Sequence, residues 1–200
     1  MLFHLLYPLH DMWPVFNVFR YITFRTIYAA VTALSIILFF GPWFIRRMCV
    51  MQMGQVIRDD GPARHHAKAG TPSMGGILIV GSILVATLLW ADLRNLYVWI
   101  SILILVSYGA IGLADDLLKI RKHNSIGLSG RWKLVWQTVF VLLAAWIIAA
   151  HGKWDTHLSI PFFKNFQPNL GIMYGLFALL VVVGTSNAVN LTDGLDGLAA

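Results

Sequence analysis

Asp115 and Asp116 are adjacent carboxylates placed directly after the apolar run that ends Gly112-Leu113-Ala114. Two neighbouring acids repel each other, and the penalty grows as the site dries out. Such a pair is tolerated when a cation neutralises it or when one member holds a proton. Consecutive helical positions diverge by about 100°, so the two acids need not serve one purpose. One can meet a Mg²⁺ ion, which favours one or two carboxylates plus phosphate oxygens, while the other accepts a proton or a hydrogen bond. The alternative is an interfacial pair solvated beside Lys119, Arg121 and Lys122.

A second polar group is Asn187-Ala-Val-Asn190-Leu-Thr-Asp193-Gly-Leu-Asp196-Gly197. Spacing by three puts Asn190, Asp193 and Asp196 on one side of a helix. Two carboxylates and an amide there suit a metal–nucleotide ligand or hydroxyl and base-edge hydrogen bonds. The run lacks the alternate ligands and later Glu of a calcium loop. Helix capping by Asn, Asp and Gly is the other reading, but it needs fewer polar positions than this segment holds.

A third group is the stretch from Gly54 through Arg58-Asp-Asp-Gly61-Pro62, His65, His66 and Lys68 to Gly70-Thr71-Pro72-Ser73-Met74-Gly75-Gly76. Gly-rich turns with hydroxyls let backbone N–H groups approach a phosphate, with Lys68 supplying charge. A Gly/Pro turn opening a helix is the equal alternative. No Walker A loop or dinucleotide fingerprint is present, and no Glu is available for acid–base work. Acids, amides, hydroxyls and lysines without a Ser, Cys or His nucleophile arrangement describe phosphate chemistry.

The elements that must position these groups follow from composition. The chain has 200 residues, 58% hydrophobic and 12% charged, whereas an average soluble domain is about 25% charged. An ordinary soluble domain, a disordered chain and a disulfide scaffold are excluded; the single Cys49 can form no internal bridge. Charge-free intervals run from Thr26 to Ile45, Ala69 to Ala91, Asn95 to Ala114, Leu134 to Gly152 and Asn165 to Thr192. A spanning helix needs about 20 mainly apolar residues. The pattern predicts an all-α integral membrane protein, a single polytopic domain over 1–200 with spans near 23–45, 73–91, 96–114, 132–150 and 171–188. The first is too long for a cleavable leader and is followed by Arg46-Arg47. The aromatic, proline-broken first 22 residues read as an interfacial segment. Gly171 and Gly175 form a GxxxG pattern at the start of the fifth span, a weak packing signal.

Lys and Arg number ten in the loops after spans one and three, against three in the loops after spans two and four. The positive-inside rule makes loops 46–72 and 115–131 and the segment 189–200 cytoplasmic, with the N-terminus outside. Trp43, Trp90, Trp99, Trp132 and Trp154 fall near span ends, as an interfacial belt requires. Net charge of +6 in so apolar a chain points to anionic lipid or phosphate partners, not nucleic acid. All three polar groups then face the cytoplasm.

Taken in order, Phe24-Arg25, Gly54-Gln55 through Pro62, Lys68 through Gly76, Gly112 through Asp116, Arg131-Trp132-Lys133, Pro161 through Lys164 and Asn187 through Gly197 resemble the polyprenyl-phosphate N-acetylhexosamine-1-phosphate transferases. The Gly61-Pro62 and Gly70–Gly76 block is similar to the branch that uses a muramoyl-pentapeptide donor. The resemblance implies transfer of phospho-N-acetylmuramoyl-pentapeptide from UDP-N-acetylmuramoyl-pentapeptide to undecaprenyl phosphate, releasing UMP, with Mg²⁺ as cofactor. It implies a bacterial inner-membrane enzyme of cell-wall synthesis, acting as a homodimer in the lipid bilayer. Asp115 and Asp116 match active-site carboxylates and candidate metal ligands. Lys68, Thr71 and Ser73 match a substrate-contacting loop, where the family commonly has Thr at position 73. Asn187, Asn190, Asp193 and Asp196 match the nucleotide and pyrophosphate site, and Lys119, Arg131 and Lys133 would attract phosphate. The family continues well past residue 200 with further spans, another active-site Asp associated with Mg²⁺ and a His-rich loop. The resemblance therefore implies an N-terminal portion, inactive alone. A related UDP-N-acetylglucosamine enzyme, and a non-catalytic transporter or scaffold subunit, are the rival readings.

Overall fold

The computed structural model describes residues 1–50, 74–122, 127–151, 155–163 and 165–192, and these are mainly helical with no strand. The helices are α1 (Leu2–Leu6), α2 (Ile22–Val50), α3 (Gly75–Trp90), α4 (Leu96–Lys122), α5 (Gly130–Ala150) and α6 (Met173–Thr192), with two 3-10 segments, Tyr7–Asp11 and Pro14–Arg20, between α1 and α2. Helices α2, α4, α5 and the Met173–Asn190 stretch of α6 are long and apolar enough to cross a membrane. The apolar α3 has 16 residues, about 24 Å of helix, shorter than the roughly 30 Å hydrocarbon core. The chain divides into two compact units, Met1–Ser129 and Gly130–Ala200.

In the first unit α2 packs along α3, and α3 along α4. Lipid-facing and interior surfaces are equally apolar, so the buried stripes are marked by small and polar residues instead. Helix α3 buries Ser82 and Ala86, and α4 buries Ser107, Ile111 and Asp115 at a spacing of four. Gly109 of α4 lies so near Val80 of α3 that an added β-carbon would stand 3.3 Å from a Val80 methyl. Pro42 sits inside α2 without ending it, and Arg46 Nε donates to the Pro42 carbonyl at 3.1 Å. At the far end of the same bundle, Trp90 Nε1 donates to Thr32 Oγ1 at 2.9 Å. Phe19 stacks on Trp90 at 6.1 Å, with Phe24 and Tyr28 around the same indole. The proline-broken N-terminal segment is thus short helical turns lying against the end of α3, and the Met1 ammonium donates to the Leu88 and Leu89 carbonyls.

The second unit pairs α5 with α6. Helix α5 buries Gln137, Val141 and Ala144. Between the two helices Leu158 N–H donates to the Pro168 carbonyl and Leu170 N–H to the Thr156 carbonyl, a small hairpin with one isolated bridge between His157 and Asn169.

Two expectations are revised. The apolar stretch 96–114 is only part of α4, which continues two turns past Ala114, so the acids at 115 and 116 lie within a helix and not in a loop. The GxxxG pattern does not lie within a helix: Gly171 has a φ of +52° and precedes α6, which begins at Met173.

A carboxylate and ammonium cluster at the end of an apolar helix

Asp115 belongs to the buried stripe of α4 because it follows Ser107 and Ile111 at four-residue intervals. Its side chain is 12% exposed, and Lys119 Nζ lies 2.6 Å from its Oδ2. Its Oδ1 accepts the Leu128 backbone N–H at 2.7 Å. Both oxygens of Asp115 are therefore engaged. Asp116, rotated by one residue, keeps a side chain that is 36% exposed and approaches Lys119 at 3.5 Å. One ammonium thus faces two adjacent carboxylates and offsets one of their two charges, and the two acids differ in what remains on offer.

The Leu128 contact depends on Gly127. A β-carbon at 127 would overlap the Asp115 carboxylate and stand 2.9 Å from the Asp115 carbonyl oxygen. Only a residue without a side chain lets the backbone at 127 lie this close. Neither Gly127 nor Leu128 carries a motif, so charge and spacing did not single them out.

Asp116 also lines a groove of about 430 Å³ between α3 and α4. Its other lining residues are apolar or glycine, among them Met74, Ile77, Val80, Leu84, Val106 and Leu113. Among the described residues that line it, Asp116 is the one charged group. A carboxylate beside an ammonium at one place on an apolar groove is an amphipathic site.

The donor chemistry fits Mg²⁺ at Asp116, which offers hard oxygen and whose approach to Lys119 is the longer of the two acids'. Among the described residues no group of three or more His, Cys, Asp or Glu could hold a metal, so two carboxylates are the most they supply.

The remaining candidates fall in different places. Arg131 and Lys133 stand on the first turns of α5, Arg131 exposed. Asn187 and Asn190 stand on α6, with Asn190 exposed. Asn187 does not open freely to solvent: its Nδ2 donates to Gln137 Oε1 at 2.7 Å and to the Val183 carbonyl at 2.8 Å. Gln137, 2% exposed, is a polar residue inside an apolar span and belongs to none of the sequence motifs. Lys68, Thr71, Ser73, Asp193 and Asp196 lie outside the described residues, as do the 54–62 loop, His65, His66, Lys164 and Trp154.

Comparison with known proteins gives concordant matches. Residues 68–80 match the phospho-N-acetylmuramoyl-pentapeptide-transferase signature 1. Curated relatives named phospho-N-acetylmuramoyl-pentapeptide-transferase include one from Syntrophus aciditrophicus, 52% identical over 199 residues, covering 100% of this chain and 55% of the relative. Another from Desulforapulum autotrophicum is 55% identical over the same length and coverage. A third from Desulfatibacillum aliphaticivorans is 56% identical over 200 residues, covering 100% of this chain and 56% of the relative. The chain spans about half the length of the curated relatives it matches. The family model for glycosyl transferase family 4 matches residues 96–200, just over half of the chain and inclusive of Asp115, Asp116, Lys119 and Asn187. The chain belongs to glycosyl transferase family 4.

Proposed function

We propose that the protein moves phospho-N-acetylmuramoyl-pentapeptide from its UDP carrier to undecaprenyl phosphate, with Mg²⁺, at the cytoplasmic face of a bacterial inner membrane. The observation that carries this reading is the Asp115–Asp116–Lys119 cluster beside the apolar groove. A polyprenyl phosphate has an anionic head and a long apolar tail, and that combination suits a charged cluster next to an apolar cleft. The relatives' shared name and the matched signature support this choice of sugar donor. Five spans with the N-terminus outside, α3 being the second crossing, bring the three polar groups of the sequence to one face. A homodimer is part of the same expectation.

In this reaction an oxygen of the lipid phosphate attacks the sugar-linked phosphorus of the donor. A new P–O bond forms, the pyrophosphate P–O bond breaks, and UMP leaves with that electron pair. The residues of the chain bind, orient and carry charge. Lys119 offsets part of the negative charge that the two neighbouring acids place at the headgroup end. Asp115, fixed by Lys119 and the Leu128 N–H, keeps that ammonium in place. Asp116 would hold Mg²⁺, which when bound neutralises phosphate oxygens. Asp116 is also positioned to orient the lipid phosphate or accept its proton, since it retains accessible oxygen. Arg131 and Lys133 add positive charge near the start of α5. Asn187, Asn190, Asp193 and Asp196 contact the nucleotide, and Lys68, Thr71 and Ser73 the donor phosphates.

Full-length protein incubated with UDP-N-acetylmuramoyl-pentapeptide, undecaprenyl phosphate and Mg²⁺ should yield lipid-linked product and UMP in equal amounts, and none with chelator. Product from UDP-N-acetylglucosamine instead would reassign the donor. No product from either donor would overturn the reading.

A further inference from the structure

Two amides meet between α5 and α6, and their hydrogen bonds can be assigned without ambiguity. A backbone carbonyl only accepts, so the Asn187 atom 2.8 Å from the Val183 carbonyl is its nitrogen. That nitrogen's second hydrogen meets Gln137 at 2.7 Å, so the facing Gln137 atom is its oxygen. Gln137 Nε2 then faces Ser186 Oγ, at 3.4 Å and near the limit of a hydrogen bond. Each assignment forces the next.

The consequence concerns what Asn187 has left. Both of its N–H groups are used inside the helix pair. Its Oδ1 accepts no hydrogen bond among the described residues, and the residue is half-buried. An asparagine normally offers a ligand both a donor and an acceptor. Here it offers an acceptor alone.

We propose that Gln137 is a positioning residue for the nucleotide-sugar site. It holds Asn187 with its carbonyl oxygen as the one free polar atom, so that Asn187 accepts from an imide N–H or a sugar hydroxyl of the donor substrate. The inference rests on the proposed role of the Asn187–Asp196 segment in donor binding. Gln137 is a buried amide on an apolar helix. An aliphatic residue would fill the same buried position on α5 without an amide to satisfy, and interhelical amide bonds within a membrane contribute little to stability on average. Because Gln137 lies on a different helix from Asn187, it also fixes the rotation of α6 about its axis. Asn190 lies three residues further along that helix, so the same lock sets its register.

The test is a double-mutant cycle in the full-length enzyme, using Gln137→Met, Asn187→Leu and the double variant. Each is assayed for donor KM, lipid-acceptor KM, kcat and thermal midpoint. Wild-type turnover is measured first, so that failure of the proposed reaction is seen separately from failure of the lock. Gln137→Met should raise the donor KM about tenfold while the acceptor KM stays within about twofold. In the Asn187→Leu background the same change should leave donor KM where it was, because Gln137 acts through Asn187. If Gln137→Met does not fold, Gln137→Asn keeps a buried amide but draws its oxygen back by one methylene, and the same split is expected. An unchanged donor KM, equal rises for donor and acceptor, or additive effects in the cycle would overturn the proposal.

Discussion

Gly127 stands against Asp115 at a distance that leaves no room for a side chain. The contact joins a glycine outside any helix to an acid buried on α4, and the next residue, Leu128, turns its N–H onto the same carboxylate. The clash of a methyl group would fall partly on a backbone carbonyl, which cannot rotate away. Gly127→Ala should therefore shift either the backbone at 127–128 or Asp115, at a cost of about 1–3 kcal/mol. Turnover should drop at least about tenfold, since the orientation of Asp115 and Lys119 changes together. Gly130→Ala is the control, because nothing lies within 4 Å of a β-carbon there. Comparable losses in the two variants would remove Gly127 from the account.

The two acids should separate in their effects. Asp115 accepts from Lys119 and from Leu128, so Asp115→Asn disturbs the local structure as well as the charge. Asp116 has the more exposed side chain and the longer approach to Lys119. Both variants should lose about 10²–10⁴-fold in kcat if the carboxylates take part in proton or metal handling. Only Asp115→Asn should also lower the thermal midpoint. Normal turnover in both variants would sink the catalytic assignment.

How far this arrangement was legible in the sequence depends on what each signal measures. Charge-free intervals report where lipid-compatible surface lies, and they located the apolar core of α2, α4, α5 and α6. They cannot report where a helix ends. Helix α4 continues because its backbone bonds are indifferent to side-chain charge, and Lys119 one turn after Asp115 supports the extension. The Asp pair was visible from type and position alone. The partners that differentiate it, Gly127 and Leu128, were not, because their contribution is proximity and a backbone N–H. Gln137 was passed over for a related reason. A single amide in a 19-residue apolar interval does not alter its hydropathy, and only the facing Asn187 gives it meaning.

Packing of α2 on α3 can be tested at Thr32. Its hydroxyl donates to the Tyr28 carbonyl at 2.7 Å and accepts the Trp90 indole N–H at 2.9 Å. Thr32→Val keeps the shape, deletes the acceptor and leaves the indole N–H unpaired. The loss should be about 0.5–2 kcal/mol, the range for interhelical bonds inside membranes. Thr32→Ser retains the oxygen and should lose less than half as much. Denaturant unfolding in mixed micelles measures both. Equal losses would show that the methyl group, not the hydrogen bond, matters.

The hairpin between α5 and α6 should loosen in acid. Asp155 Oδ1 accepts the His157 backbone N–H at 3.0 Å and the His157 Nδ1–H at 2.7 Å. The backbone bond first, and the ring bond second, hold the Asp155 carboxyl below its ordinary range. A depressed folded-state value means that this support is complete above the ordinary carboxylate value and is lost as pH falls through the lowered one. Hydrogen exchange at the Leu158 and Leu170 amides, which close the hairpin, should accelerate below about pH 4. Asp155→Asn should abolish that pH dependence. An identical acid response in the variant would place its origin elsewhere.

Orientation in the membrane can be read at Cys49, the single cysteine of the sequence. It is exposed near the C-terminal end of α2, two residues after Arg47. Arg46 and Arg47 begin the first of the two basic loops, which the positive-inside rule assigns to the cytoplasm. If that assignment holds, a membrane-impermeant maleimide should leave Cys49 unmodified in intact spheroplasts and modify it in inverted vesicles. A cysteine introduced in a Cys49→Ser background at Asn95, at the opposite end of the bundle, should show the reverse pattern. The two sites lie at opposite ends of the α2–α4 bundle. Cys49 follows the last turns of α2, whereas Asn95 stands beside Asp92, Trp90 and the start of α4 around a cavity of about 290 Å³. Labelling of Cys49 from outside would invert the topology and carry the basic loops with it. The acids at 115 and 116 would then face away from the cytoplasmic pool of a nucleotide-linked donor, and the proposed reaction would fail on access alone.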